Sequence, residues 1–180
     1  MTRRTVVATI AGVILGGAAL AWFIGRPGEV GPWRAGTAKL AIEWRGKFSG
    51  RMVLPAQVNW CPVTRVAVLE AVSGDSGVAI VLYEQDALTG VSHQVFSPEL
   101  AASAQRPSAT AAMRWMRLDK DTALAGFRAL SGAVRVRLAP GRVSGELDAR
   151  MRGVAAPDTL VVRGVFRDVP VVSTAVGCGT

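Results

Sequence analysis

Ser76 and His93 are the two residues whose types come nearest to a catalytic pair. Ser76 lies between glycines in Gly74-Asp75-Ser76-Gly77, and His93 is the only histidine of the chain. A serine becomes a nucleophile when a neighbouring base takes its proton, and glycines beside it leave backbone N–H groups available to stabilise an oxyanion. The chemistry that such a pair would serve is acyl transfer by a serine hydrolase.

The loop around Ser76 resembles the nucleophile loop of trypsin-like serine proteases. That family places its histidine and aspartate before the serine, whereas His93 follows Ser76, and 180 residues leave too little chain for the family's two barrels. Ser-Gly-Asp-Ser-Gly at residues 73–77 also has the composition of a hairpin turn. We therefore expect a turn here, a structural or surface role for His93, no catalytic residues and no enzymatic activity.

Metal, cofactor and nucleic-acid sites have little support in the sequence. Asp119 and Asp121 flank Lys120, but no glycine or glutamate follows at the spacing of a calcium loop, so we expect a solvated loop. The 21 basic residues against 13 acidic ones are spread along the chain without an aromatic-rich patch, which excludes nucleic acid as a partner. The basic excess is either a compositional preference for arginine or a face that meets acidic lipid headgroups or an acidic partner.

The elements that would position these residues are predicted to be β-strands. Short segments rich in valine, bounded by Gly, Pro, Asp and Ser, are typical of an antiparallel β-sandwich or a barrel-like domain. The predicted strands cover residues 38–44, 51–54, 65–72, 78–83, 91–96, 113–118, 133–138, 143–152, 159–166 and 171–175. Pro140-Gly141 predicts a hairpin turn, residues 98–105 and 121–130 are two helix candidates, and residues 101–112 read as a polar loop.

Residues 5–24 form an uncharged apolar run, which as a helix is about 30 Å long and matches the hydrocarbon core of a bilayer. Arg3 and Arg4 before it, and Trp22, Arg26 and Trp33 near its far end, are suitable interfacial anchors. A cleavable signal peptide is the alternative, but the run continues past the possible cleavage site after Ala21. We expect one N-terminal transmembrane helix over residues 1–24.

Within this predicted helix, Ala8, Gly12 and Gly16 recur every fourth residue and so share one face. Small residues on one face allow close packing against another membrane helix. Residues 25–36 contain four glycines and two prolines, which predicts a linker. The β-domain is then expected to comprise residues 37–180.

The arginines at the N-terminus favour a cytoplasmic N-terminus in the bacterial inner membrane and a periplasmic β-domain. Cys61 and Cys178 are the only two cysteines, and an even pair in a translocated domain predicts a disulfide. Two buried free thiols are the alternative interpretation.

The second half of the domain resembles a family of small exported β-domain proteins of Gemmatimonadota. The resemblance is carried by LSGAVRV from Leu130, RVSGELDA from Arg142 and LVVRGVFRDVP from Leu160, within residues 130–170. Some members of that phylum have a photosynthetic reaction-centre light-harvesting complex with additional single-span subunits. A single span followed by a periplasmic β-domain is similar in architecture to such an accessory subunit. No histidine lies in the predicted span, so no pigment ligation by a side chain is expected.

Three functions remain at this point. The favoured one is a non-enzymatic accessory or structural subunit that stabilises a larger membrane complex, with the photosynthetic complex as the specific candidate and the lipid bilayer as a further partner. The alternative is a free-standing, membrane-anchored module that binds a periplasmic ligand or protein. The third is an anchored hydrolase that would use Ser76 and His93.

Overall fold

The computed structural model describes residues 38–117, 123–173 and Cys178, and within them the protein is an all-β domain. The predicted transmembrane helix, its packing face and anchors, the linker, and Asp119 and Asp121 lie outside the described residues. Among the described residues, no helix has the length and apolar character needed to cross a bilayer. The strands are β1 Lys39–Gly46, β2 Gly50–Cys61, β3 Val66–Ser73, β4 Ser76–Tyr83, β5 Ser92–Phe96, β6 Ser108–Arg117, β7 Ala123–Ala139, β8 Arg142–Gly153 and β9 Thr159–Ser173, with one short helix, α1 Pro98–Ala101.

The nine strands close into a single barrel in the order β1-β2-β3-β4-β6-β5-β7-β8-β9, with β9 paired to β1. Neighbouring strands are antiparallel except for β5 with β6 and a short contact between β2 and β9, which are parallel. The sequence alone did not distinguish a β-sandwich from a barrel. The pairing of β9 with β1 closes the sheet and identifies a barrel. Closure removes the exposed strand edges that an open sheet would present.

The core of the barrel follows from the alternation of side chains along each strand. In β8 every second residue from Val143 to Met151 is buried and the residues between them are mostly exposed and charged. The same alternation was predicted for residues 134–138 and 147–152. One interior side chain from each strand is Leu40, Leu54, Leu69, Ile80, Val95, Ala111, Val134, Leu147 and Val162.

Strand β4 departs from this alternation because both of its faces are buried. Its outward side chains Val81 and Tyr83 form a small second cluster with Ala101 of α1 and Ala112 of β6. The connection from β5 to β6, which contains α1, therefore covers this part of the barrel wall. The predicted helix at residues 98–105 is thus confirmed only in its first turn, Pro98–Ala101.

Three sequence-based assignments were wrong. Residues 123–130 belong to β7, not to a helix, because pairing with β6 and β8 on both sides outweighs a local helical preference. Residues 108–112, which were predicted as part of a loop, belong to β6. This strand lies between β4 and β5. The predicted strand at residues 159–166 and residues 171–173 of the next predicted strand belong to one strand, β9, whose pairing with β8 shifts register between Val143 and Gly145. Residues 174–175 lie outside the described residues.

The barrel has two ends of different composition. The disulfide end carries residues 62–65, 84–91 and 140–141 and the cysteine pair, and the aromatic end carries the turns at residues 47–49, 74–75 and 154–158. Strand β1 runs from the disulfide end towards the aromatic end, because it is antiparallel to β2 and β9, which both finish at the disulfide end. The chain therefore enters the barrel from the side of the disulfide end.

Candidate functional site

The structure separates the two residues that a serine hydrolase would need. Ser76 opens β4 at the aromatic end, opposite Ser73 in a tight hairpin whose Gly74 has a φ of 56°. His93 lies on the inner side of β5 and contacts Glu84, which follows the last residue of β4. At about 3.3 Å per residue, β4 places Ser76 roughly 26 Å from Glu84. The turn interpretation of residues 73–77 is confirmed, and Ser76 and His93 form no pair.

His93 instead pairs with Glu84 inside the disulfide end of the barrel. The imidazole Nε2 lies 2.8 Å from Glu84 Oε1, and the exposed fractions of the two side chains are 0% and 1%. Strand alternation explains the placement, because Glu84 continues the inward series of Ile80 and Leu82, and His93 precedes the inward Val95. His93 is therefore a buried structural histidine, which excludes the surface role considered for it.

The Glu84 carboxylate is held by the loop that joins β4 to β5. Thr89 donates its backbone N–H to Oε1 at 3.1 Å and its hydroxyl to Oε2 at 2.8 Å. Burial alone would raise the pKa of Glu84, but the hydrogen bonds from His93 and Thr89 favour the carboxylate and lower the pKa below its ordinary value. An ionised Oε1 accepts a hydrogen bond, so His93 Nε2 carries the proton.

The other nitrogen of His93 is the distinctive atom of this site. Nδ1 is buried and has no hydrogen-bond partner among the described residues. When a carboxylate binds one nitrogen of an imidazole, it fixes the orientation of the ring. The other nitrogen is then positioned for ligand binding or proton transfer. The site can therefore present the Nδ1 atom of His93 to a small group at the disulfide end of the barrel.

Backbone contacts secure the loop around this pair from outside. Arg106 Nη1 donates to the carbonyl of Glu84 at 2.8 Å, and Gln85 Nε2 donates to the carbonyl of Arg106 at 2.9 Å. Arg65 Nη1 donates to the carbonyl of Gln85 at 2.7 Å. Three segments that are distant in sequence, 65, 84–89 and 106, are thus held together at the disulfide end.

Sequence reasoning missed Glu84. The signal that would have found it is the alternation of β4, in which Ile80 and Leu82 face the interior and the next inward position is a carboxylate. A carboxylate that follows a buried strand on its inward side needs a partner, and the only histidine of the chain follows nine residues later.

The disulfide prediction is confirmed. Cys61 and Cys178 are bonded with a Cα–Cα distance of 5.4 Å and a sequence separation of 117 residues. Cys61 is the last residue of β2, so the bond fixes the C-terminal tail to the disulfide end of the barrel. The alternative of two free thiols is excluded, since no free cysteine is present.

The outer surface of β2, β1 and β9 carries a row of exposed apolar side chains. Val53, Ala41 and Val165 are direct neighbours across the three strands. The two valines are 49% and 40% exposed. We call Val53, Ala41 and Val165 the valine wall. Val161, which is 49% exposed, lies on the same face of β9 but is separated from the wall by Arg163.

Charged residues surround the valine wall. Glu43 lies between Arg51 and Arg163 in the adjacent row, and Glu146 of β8 follows Val165. The wall is thus an apolar strip of β-sheet with charges of both signs at its border. This is the composition of a surface that another protein can cover.

No group of three or more His, Cys, Asp or Glu side chains suited to a metal ion occurs in the described part of the chain. No family model matches the chain, and no curated protein and no solved structure is significantly similar to it.

Proposed function

We propose that this protein is a non-enzymatic, single-pass membrane subunit whose barrel braces a neighbouring subunit of a larger membrane complex. The observation that carries the proposal is the valine wall, with its neighbouring valines about half exposed and charges at its border. Soluble domains seldom expose contiguous apolar strips without a partner to cover them.

The closed barrel determines how such a partner would bind. No strand edge is open among the described strands, because β9 pairs with β1 and every other strand has two neighbours. Addition of a partner strand to the sheet is therefore disfavoured. A partner would cover the valine wall face to face, with its apolar side chains against Val53 and Val165.

The sequence supplies the location of the proposed complex. Residues 5–24 would anchor the chain in the bacterial inner membrane with the barrel in the periplasm, where a disulfide is stable. Ala8, Gly12 and Gly16 would pack against a membrane helix of the complex. The resemblance of residues 130–170 makes a photosynthetic reaction-centre light-harvesting complex the specific candidate.

Affinity purification of the tagged chain from native membranes in mild detergent tests this proposal. Wild type should co-purify with stoichiometric partners, and Val53→Lys with Val165→Lys should reduce their recovery by about tenfold, because two cations would be buried against apolar groups. Val154→Lys is the matched control, since Val154 is 53% exposed but lies in a turn at the aromatic end.

The predicted helix face is tested in the same experiment. Gly12→Leu with Gly16→Leu should also release the partners while leaving the thermal unfolding of the barrel unchanged. Full recovery of partners with both pairs of substitutions would show that neither surface docks. The absence of any stoichiometric partner for wild type would refute the accessory-subunit proposal.

The Nδ1 atom of His93 favours a second candidate, an anchored module that binds a small ligand in the disulfide end of the barrel. Because His93 is the only histidine, ¹⁵N-histidine labelling reports on its two nitrogens alone. The chain isolated from native membranes should then show an Nδ1 resonance that differs from that of the refolded chain. Identical Nδ1 resonances in both samples would contradict ligand binding at this site.

A further inference from the structure

We propose that the outer face of β9 around Val161, with the adjacent faces of β1 and β8, binds an acidic segment of a partner protein. Carboxylates of the segment would meet arginines, and an apolar side chain between them would cover Val161. This contact is separate from the valine wall, because Arg163 lies between Val161 and the wall. It deepens the proposed function by naming the chemistry of the partner, and rests on that function only for the partner's location in a membrane complex.

The basic excess of the chain is concentrated on one side of the barrel. Strands β7, β8, β9 and β1 are consecutive around the barrel and carry ten basic and four acidic residues. The other five strands, β2 to β6, carry three basic residues and one acidic residue. A general preference for arginine would spread the basic residues over the whole barrel, whereas a binding face would gather them on one side, as is observed.

Four arginines surround Val161 on this side. Arg45 of β1 and Arg150 of β8 are its direct neighbours on the two adjacent strands. Arg163 lies two residues further along β9 on the same face, and Arg152 of β8 lies diagonally across from Val161. Direct neighbours are about 5 Å from Val161 and the other two about 7 Å, so all four guanidinium groups can reach a group placed over it. We call Arg45, Arg150, Arg152 and Arg163 the arginine ring.

Three members of the arginine ring have no acidic partner. Arg45, Arg150 and Arg152 are exposed and form no ion pair with any residue of 38–117 or 123–173. Arg163 contacts Asp148 at 3.9 Å, with its side chain 70% exposed. The ring is therefore a concentration of positive charge that the described residues leave largely uncompensated.

Arg152 also carries a repulsion. It lies directly opposite Arg128 of β7, and like charges in that position lower the stability of a sheet. Arg128 has an ion pair with Glu99 at 2.5 Å, whereas the neighbour of Arg152 on its other side is the uncharged Thr159. An acidic group bound at the ring would relieve this repulsion, so binding would also stabilise the fold.

The chemistry of the ring specifies carboxylates as its counterpart in a protein. A guanidinium group binds a carboxylate through two parallel hydrogen bonds and is more weakly hydrated than an ammonium group. Val161 is 49% exposed at the centre and offers an apolar contact. An apolar centre with a polar rim is the composition of a protein interface, so the matching segment has acidic residues on both sides of an apolar one.

A short acidic segment fits this face better than a lipid surface or a small anion. Glu43 and Asp148 are direct neighbours of Arg163, and Glu146 is the neighbour of Val165. An anionic surface laid along the barrel would meet these three carboxylates, whereas a short segment need only meet the ring. The outside of a barrel is convex, and sites that enclose a small ion or molecule are concave.

The test uses the full chain in phosphatidylcholine nanodiscs and a short fluorescent peptide in which glutamates flank a central leucine. Fluorescence anisotropy should show binding at low salt that weakens steeply as the salt concentration rises. A peptide with lysines in place of the glutamates should not bind. A peptide with glycine in place of the leucine should bind several-fold more weakly, because the contact with Val161 is lost.

A triple variant isolates the arginine ring. Arg45→Gln, Arg150→Gln and Arg152→Gln together should weaken binding of the glutamate peptide by at least about tenfold, because three charged contacts are lost. The variant should unfold at no lower temperature than wild type, since the repulsion between Arg152 and Arg128 is removed.

The matched control removes the same charge from the same side of the barrel. Lys39 and Arg167 lie six residues from Arg45 and Val161 along their strands, which is about 20 Å. Binding should be within about twofold of wild type when these two residues and one exposed arginine of β7 are changed together, as Lys39→Gln, Arg137→Gln and Arg167→Gln.

Three results would overturn the inference: no binding of the glutamate peptide by wild type, equal binding by wild type and the ring variant, or equal loss in both triple variants. Displacement of the peptide by phosphatidylglycerol in the nanodiscs, in wild type but not in the control variant's absence of Lys39, Arg137 and Arg167, is not required; displacement in both proteins would identify lipid as the ligand and also overturn it.

Partner recovery from native membranes is scored separately. Equal recovery of partners with wild type and the ring variant would overturn this inference and leave the proposed function standing. The absence of any partner for wild type would refute the proposed function, whereas ring-dependent binding of the glutamate peptide would still support an acidic ligand at Val161.

Discussion

The two ends of the barrel are closed by different physical means. At the aromatic end, the ring of Trp44 lies 4.6 Å from that of Trp115, which stacks at 5.2 Å on Phe127. Gly50 allows this packing, because a Cβ there would overlap the indole of Trp44. At the disulfide end, a buried pair of ionisable side chains and a covalent bond take the place of the aromatic rings.

This difference predicts different responses to solution conditions. Aromatic packing depends on buried apolar area and ring geometry, so its contribution to stability changes little between acidic and neutral pH. A buried carboxylate and a disulfide respond to protons and to thiols, respectively. The disulfide end is therefore the end whose stability the environment can change.

Loss of the disulfide should have the largest effect on stability. Cys61→Ser with Cys178→Ser should lower the free energy of unfolding by about 4 kcal/mol, because the bond closes a long loop in the unfolded chain. Urea unfolding of the oxidised and the reduced wild type provides the comparison. A loss below about 1 kcal/mol would show that the tail adds little to the disulfide end.

Removal of the Trp44 ring at the aromatic end should be nearly as costly. Trp44→Ala should destabilise the fold by about 3 kcal/mol, since Trp44 is 7% exposed and packs on Trp115. Combined with the two cysteine substitutions, the effects should add, because the sites lie at opposite ends. Marked non-additivity in urea unfolding would contradict the independence of the two ends.

The third prediction concerns the pH dependence at the disulfide end. The folded pKa of Glu84 is lowered from its ordinary value of 4.5, so its contribution is present above that pH and is lost as the pH falls through the folded pKa. Glu84→Gln should lower the free energy of unfolding by about 2 kcal/mol at pH 7. The variant should also lose less stability than wild type as the pH falls. Trp44→Ala should retain the pH dependence of wild type.

Glu70 provides a control of opposite sign for this experiment. Burial raises the pKa of Glu70, so its ionised form disfavours folding above the raised pKa, and this penalty is relieved as the pH falls. Glu70→Gln should therefore stabilise the protein at neutral pH. It should also remove the gain in stability that wild type shows as the pH falls through the raised pKa of Glu70. If the two variants gave the same pH profile in thermal unfolding, the assignment of the acidic loss to Glu84 would be wrong.

The smallest expected effect is at the surface of the aromatic end. Lys47 and Asp158 join two turns there through an ion pair of 3.2 Å, with the lysine side chain 62% exposed. Lys47→Ala should cost about 0.5 kcal/mol at low salt, and high salt should remove the difference. A loss as large as that of Trp44→Ala would mean that the turns, rather than the rings, close this end.

Much of the fold was accessible from the sequence, and the candidate site was only partly so. The alternation at residues 134–138 and 147–152 predicted strands with one solvent-exposed face. The presence of two cysteines predicted the disulfide between them. The helix predicted at residues 121–130 failed, because this segment is held as a strand by β6 on one side and β8 on the other. His93 was expected to have a structural or a surface role, and the structure shows the structural one, but its partner Glu84 was missed.

The sequence by itself determined the local features: the apolar run at residues 5–24, the glycine-rich composition of residues 25–36, the hairpin at Gly74 and the inward and outward sides of most strands. These depend on side-chain type and spacing over a few residues. Only the tertiary structure decided that the strands close into a barrel, that Glu84 meets His93, and that Val53, Ala41 and Val165 are neighbours. Such contacts join residues from separate strands, and their register is set by the packing of the whole barrel, which local sequence does not encode.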